Sequence, residues 1–392
     1  MSLSAQPSAA ARPSGAPQPP ADGILEILPS GSGFLRTFAN GYQAADGDVF
    51  VSQSVIRRLG LRTGDRVQGT TGTPPGRGKS PPLDEVHAVN GLDPAQARGR
   101  ADFGSLPASY PDERLKLEIP ADGDTRSRRD FTNRIIDLIS PLGKGQRALI
   151  VAPAKAGKTT VLQAIMRGIH TNYPDAVLMV LLVDERPEEV TEMQMLGIGD
   201  VIASSFDCPA ERHVTVAEMV LEHARRQVES GRDVVIVLDS LTRLARAYNT
   251  TERGTGRMLS GGIDSGALEK PKRFFGSARK VRGGSGSLTI IATALTETGS
   301  RGDEVIFEEF KGTGNSEIVL DRDLADRRIF PAINVDRSST RREELLFDPA
   351  ELDKAHQLRR ALSSLSPADA MELLNKQLND TKTNRDLLTR LR

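Results

Sequence analysis

The residues that most constrain this chain are Ala152-Pro153-Ala154-Lys155-Ala156-Gly157-Lys158-Thr159. An apolar run, Arg147–Ala152, leads into them, and a helical pattern of Val161, Leu162, Ile165 and Ile169 follows. The order is strand, small-residue loop and helix, so the loop's backbone N–H groups sit at a helix N-terminus, where they cradle phosphates. Lys158 would neutralise the β- and γ-phosphates of a nucleotide, and the Thr159 hydroxyl would ligate Mg²⁺. Thr160 completes the cradle, and Ala152 departs from the glycine that usually opens such a loop.

The flanking sequence fits a loop of this kind. Runs of strand length recur at Ala176–Val183, Val201–Phe206, Val234–Leu238 and Leu288–Leu295. Between the second and third of these, Ala217, Val220, Leu221, Ala224 and Val228 share one helical face. Alternation of buried strands with helices predicts an α/β fold, a parallel sheet covered by helices. Three helices are expected at the end, over Glu351–Leu362, Ala368–Leu378 and Asn384–Arg392. Asp239 closes the run Val234–Leu238, and strand ends are where such sheets hold ligands, so it is the candidate second metal acid. Asp184-Glu185-Arg186-Pro187-Glu188-Glu189 closes another run. Pro187, Glu188 and Glu189 read as helix-start chemistry. Glu185 is then open between a water-activating carboxylate and a further part of that cap.

The N-terminal part reads differently. Residues 1–20 are mostly Ala, Pro, Ser, Gly and Gln and are expected to be disordered. Short strands are expected at Gly23–Leu28, Gly33–Arg36, Asp48–Val51 and Arg66–Gly69, with a long loop over Thr70–Pro82, which suggests a small barrel over residues 21–90. Residues 91–125 read as a linker and 126–392 as the α/β part. Lys+Arg and Asp+Glu are 52 each, so any basic footprint must be local. The single Cys208 excludes an intramolecular disulfide and a Cys-cluster metal site. No apolar run approaches the ~18 residues of a membrane span, so a cytoplasmic protein with no membrane partner is expected.

Four segments together resemble the bacterial transcription termination factor Rho family: Ala152–Thr159, Leu181–Met193, Leu238–Asn249 and Glu308–Asn315. The resemblance runs from about Gly23 to the C-terminus. It implies an OB/cold-shock-like RNA-binding barrel, followed by a RecA-like P-loop ATPase motor in a homohexameric ring that moves 5′-to-3′ along single-stranded RNA to end transcription by RNA polymerase. It also implies ATP and Mg²⁺ as cofactors. By this resemblance, Lys155, Lys158 and Thr159 contact phosphate and metal, Asp239 is the metal-site acid and Glu185 activates water. Phe330 stacks on adenine, Arg186 lines the subunit interface, and Arg341 is the arginine finger offered to the next subunit. Arg257, Ser260 and Gly261 match one RNA-tracking loop, and Ser300 and Arg301 match a second. Without the match these loops read equally as flexible solvent loops. In the barrel, Leu28, Phe34, Arg36, Asp48 and Phe50 match the primary RNA site.

The match departs from the family in the barrel. Ser32 stands where the family stacks an aromatic, and Lys79-Ser80-Pro81 stands where it has Glu-Arg-Tyr. Residues 21–90 hold seven Lys+Arg and seven Asp+Glu, with Arg57, Arg58, Arg62 and Arg66 as the only cluster. The family's N-terminal helical subdomain is expected to be absent, its place taken by the disordered tail. Two other readings follow. One is an ATP-gated RNA-binding regulatory ring that has lost efficient termination. The other is a rotary or export ATPase subunit on the same RecA-like core.

Overall fold

The computed structural model describes residues 19–76, 79–119, 130–252, 258–284 and 286–391. In the N-terminal body, strands Pro20–Ile27, Gly33–Arg36, Val49–Val51, Arg66–Thr71 and Leu83–Val89 form one antiparallel sheet. The third strand lies at one edge and the fifth at the other. A bridge between Phe50 and Pro82 brings those edges together, so the sheet curls toward an OB-type barrel. Leu25, Leu35, Val51, Val67, Leu83 and Val89 fill it.

Several expectations need correction here. The tail expected through residue 20 stops short of it: Pro20 opens the first strand and the Pro19 carbonyl accepts from Thr71. The fourth strand runs to Thr71, beyond its expected end at Gly69, and a fifth follows at Leu83–Val89. That fifth strand, Leu-Asp-Glu-Val-His-Ala-Val, carries polar residues on its exposed positions and offers little apolar signal. Residues 1–18 lie outside the described residues.

The motor is a largely parallel sheet. Its strands run in the order Asp200–Ser205, Val177–Glu185, Asp233–Asp239, Ser287–Thr296, Arg147–Pro153, Ser316–Val319, and the antiparallel edge Ser339–Thr340. Helices cover both faces, and two apolar clusters, one per face, make the core. Residues 91–119 are not a free linker. Ala108–Ser109 pairs with Arg279–Val281, Arg114–Leu115 pairs with Leu142–Gly143, and Phe103 is buried in the motor core.

Barrel and motor meet on the helix Ala210–Glu229. Gly64 (φ +91°) turns against it so closely that a Cβ would lie 2.4 Å from the Glu222 carbonyl carbon, which only glycine permits. Both carboxylate oxygens of Asp65 accept from Arg100 Nη2, at 2.5 and 2.6 Å. Glu229 accepts from Arg62, Arg100 and the Phe103 amide, at 2.9, 3.0 and 2.8 Å. The expected cationic cluster is thereby split. Arg62 is committed to Glu229 and Arg66 to Asp22, which leaves Arg57 and Arg58 exposed.

Buried His223 adds a pH dependence to this junction. Its Nδ1 donates to the Gly64 carbonyl at 2.7 Å. Burial pulls its pKa down to about 4, against a smaller upward pull from that hydrogen bond. The folded value lies below the unfolded ~6.5. The stability this gives is therefore full above about pH 6.5 and is lost as pH falls through about 4. Chemical denaturation across that window should show a loss on the order of 3 kcal/mol. His223→Gln should flatten it; an unchanged slope in the variant would exclude His223 as the cause.

Candidate active site

Four adjacent parallel strands deliver the site at their C-terminal ends. Arg147–Pro153 ends in the phosphate loop, Val177–Glu185 in Glu185, Asp233–Asp239 in Asp239, and Ser287–Thr296 carries Thr293. The loop turns through two left-handed residues, Lys155 (φ +65°) and Gly157 (φ +88°), and the helix Lys158–Asn172 starts directly after. Ala154 and Lys155 are exposed, while Ala152, Pro153 and Ala156 are buried. Thr159 sits half-buried in the first helical turn, and Thr160 is exposed beside it.

Lys158 is the hub. Its Nζ lies 2.6 Å from Asp239 Oδ1 and 3.0 Å from Glu185 Oε1. Both carboxylates are almost fully enclosed, Glu185 at 1% exposure and Asp239 at 2%. Burial raises the Asp239 pKa, with Lys158 pulling the other way. Burial alone would lower Lys158; Asp239 and then Glu185 outweigh it and raise its pKa. Thr293 Oγ1 donates to Asp239 Oδ1 at 2.7 Å. The ladder slips register between Val183 and Glu185, around left-handed Asp184 (φ +56°), and this kink aims Glu185 inward. Arg243 braces it from the helix Leu241–Thr251, with Nε 3.6 Å from Glu185 and Nη1 3.3 Å from the Asp184 carboxylate. Thr293 and Arg243 were not legible as site residues. One hides in an apolar strand and the other reads as a surface helix charge.

The donor set suits a hard divalent cation. Glu185 Oε2 is buried with no hydrogen-bond partner, on a carboxylate that shares the Lys158 ammonium with Asp239. Among the described residues no group of three His, Cys, Asp or Glu forms a metal cage. A cation held partly by substrate phosphates needs none, because Mg²⁺ takes one or two protein oxygens and keeps the rest for phosphate and water.

Beside the loop lies a pocket of about 780 Å³, lined by Ala156, Gly157 and Thr160 on one side and by Phe330 and Pro331 on the other. Phe330 is half-exposed, and its Cε1 would lie 3.9 Å from a Cβ on Gly157. Arg186 is exposed at the start of the helix Pro187–Met195. Arg341 is elsewhere. Its amide donates to the Asn315 carbonyl, and Asn315 also receives the Arg147 amide, at the start of the phosphate-loop strand. That strand has seven residues, so Arg341 sits about 20 Å from its own phosphate loop, at ~3.3 Å per residue.

The two loops proposed from the sequence to follow RNA touch. A Cβ on Gly261 would lie 2.3 Å from the Gly302 amide, so the turn holding Ser260 and Gly261 packs on the start of the helix Arg301–Lys311. Ser300 caps that helix and Arg301 is exposed. Arg246 pairs with Asp303, with Nε at 2.8 Å, and so ties that helix to the one that begins just after Asp239. Arg257 lies outside the described residues. In the barrel, Phe34 and Phe50 face each other across two strands, with centroids 5.6 Å apart. Arg36 stacks on Phe34 at 5.0 Å and pairs with Asp48 and Glu26. Leu28 lies in the neighbouring turn, its amide bonded to the Ser32 carbonyl.

Residues 132–340 match the ATP synthase alpha/beta family, nucleotide-binding domain, and residues 21–95 match the Rho termination factor, RNA-binding domain. The transcription termination factor Rho of Cereibacter sphaeroides is 53% identical over 363 residues, covering 93% of this chain and 85% of that protein. That of Chromobacterium violaceum is 53% identical, with 95% and 88% covered, and that of Salmonella typhimurium 54%, with 93% and 86% covered. An ATPase from the type III secretion system of pathogenic bacteria shares the fold, with a TM-score of 0.59 at 21% identity, covering 79% of this chain and 93% of that one. Among the described residues no helix is long and apolar enough to cross a membrane.

Proposed function

The chain belongs to the transcription termination factor Rho family, and from that membership we propose an RNA-stimulated ATPase whose subunits form a hexameric ring, move 5′-to-3′ along RNA and release transcripts from RNA polymerase in the cytoplasm. The observation that carries this reading is Lys158 held between Glu185 and Asp239, at the ends of adjacent strands, one helix away from two loops in contact.

ATP's phosphates would lie on the backbone of Ala152–Thr159, with Lys155 and Lys158 opposing their charge and the base against Phe330. Thr159 and Asp239 would hold Mg²⁺, which supplies charge neutralisation at the phosphates when bound. Glu185 orients a water and takes its proton as the water oxygen bonds to the γ-phosphorus and the bond to ADP breaks. Arg186 would line the subunit interface. Arg341 of the neighbouring copy stabilises the charge on the transferring group. Ser260, Gly261, Ser300 and Arg301 would follow RNA through the ring, with Arg257 in the first of those loops, and the state at Asp239 reaches them through the helix Leu241–Thr251 and the Arg246–Asp303 pair. ATP turnover with and without single-stranded RNA tests the reading. RNA should raise it, and turnover indifferent to RNA would sink it.

Loading of RNA should be the weak step. Phe34 and Phe50 offer aromatic faces in the barrel, but Ser32, half-buried beside Leu28, offers none. Stacking contributes ~1–3 kcal/mol per base. Ser32→Tyr should therefore tighten binding of a cytosine-rich single strand by about 5- to 150-fold at one fixed salt concentration. An unchanged affinity by fluorescence anisotropy would mean that Ser32 does not border the base path.

A further inference from the structure

The face that carries Arg341 gathers four arginines, of which only Arg342 has a carboxylate partner, Glu344 at 2.6 Å. Arg147 spends its guanidinium on two carbonyls, Thr313 at 2.9 Å and Ala278 at 3.1 Å. Arg279 reaches the Ser277 carbonyl and stacks on Phe103 at 4.7 Å. Among the described residues, none of Arg147, Arg279 and Arg341 forms an ion pair with a carboxylate. Burial, then repulsion from Arg279 and Arg341, holds the Arg147 pKa down. Beside them Tyr110 is 61% exposed, with the Arg342 guanidinium 5.0 Å above its ring. Arginine and tyrosine together are what an interface centre uses.

Complementary charge lies in the segment that follows Glu185. From Pro187 to Glu211 there is no Lys or Arg, while Glu188, Glu189, Glu192, Asp200, Asp207 and Glu211 are present. The helix Pro187–Met195 carries the first three, starts two residues after Glu185, and ends on Met195, 83% exposed. The helix start lies two residues from Glu185, so an Arg341 supplied by a neighbouring copy to the phosphate site would bring the cations around it toward Glu188 and Glu189.

We propose that the helix Pro187–Met195 of one copy docks on the face formed by Arg147, Arg279, Arg342 and Tyr110 of the next copy, and that this pairing guides Arg341 into the phosphate site. The proposal rests on the ring reading above. Complementary charge at such a contact sets register and speeds encounter, so assembly weakens as salt rises.

The test uses two full-length variants: Glu188→Lys with Glu189→Lys, and Arg279→Glu with Arg342→Glu. Circular dichroism and melting establish that each is folded. Sedimentation at low salt reads assembly. Each variant alone should need about tenfold more protein, or more, to form rings. An equimolar mixture should assemble close to wild type, because each reversed face then meets its opposite in an alternating ring. Either variant assembling like wild type, or a mixture no better than its parts, overturns the docking while leaving the ATPase reading intact. Unchanged assembly with weaker RNA binding in the arginine variant assigns that face to RNA and overturns it too. Wild-type protein that stays monomeric takes down the ring reading, and this docking with it.

Discussion

Lys158→Ala should abolish ATP turnover, with and without RNA, by a factor of at least ~10³. Two losses combine. The phosphates lose the ammonium that opposes their charge, and Glu185 and Asp239, at 1% and 2% exposure, lose the cation bonded to both. Removing one partner of a buried ion pair costs about 3–5 kcal/mol, because the remaining charge is left uncompensated. The variant should therefore melt lower as well as fail to turn over. The sign with pH is fixed. Burial already raises the Asp239 pKa, with Lys158 opposing that rise. Without Lys158 it rises further, and a carboxyl raised in the folded state stabilises below its unfolded pKa and loses that contribution as pH climbs through the folded one. The melting deficit should thus shrink as pH falls toward the carboxylate range. A melting deficit with normal turnover would remove Lys158 from the chemistry. Lost turnover with no deficit at any pH would mean that the two carboxylates do not depend on it.

The same residue shows why the site was more legible than its surroundings. Lys158, Asp239 and Glu185 each follow an apolar run, and a parallel sheet must put the ends of such runs together. Their register was not needed to find them. Thr293 lies inside an apolar run and Arg243 on a helix, so only the folded contact distinguishes them from core and surface. The barrel was harder, because its strands are half exposed and alternate. Leu83–Val89 has too few apolar positions to stand out from the Gly- and Pro-rich loop before it. Charge was hardest of all. Arg62 and Arg66 look like an RNA patch in the chain, yet one is committed to Glu229 and the other to Asp22, partners distant in sequence. Residues 91–119 read as a linker because pairing of two-residue strands leaves no periodicity to detect.

Arg341→Ala should leave ATP binding intact and reduce turnover by ~10³–10⁵, the usual range for an arginine supplied to phosphoryl transfer. Arg341 sits at the far end of the seven-residue strand that ends in the phosphate loop, about 20 Å away. No rotamer of an arginine covers that span within one copy. Lys158→Ala and Arg341→Ala should therefore complement each other, although each is inactive alone. In mixed rings about one quarter of the interfaces join an intact phosphate loop to an intact finger, as expected for heterologous contacts between randomly mixed copies. A single-turnover measurement reads these interfaces directly, since each can fire once whether or not its neighbours can. A burst of about one quarter of the wild-type amplitude is the expected result. No burst from rings shown to be mixed would place the finger elsewhere, and would leave Arg341 as one more cation on the face that binds the next copy.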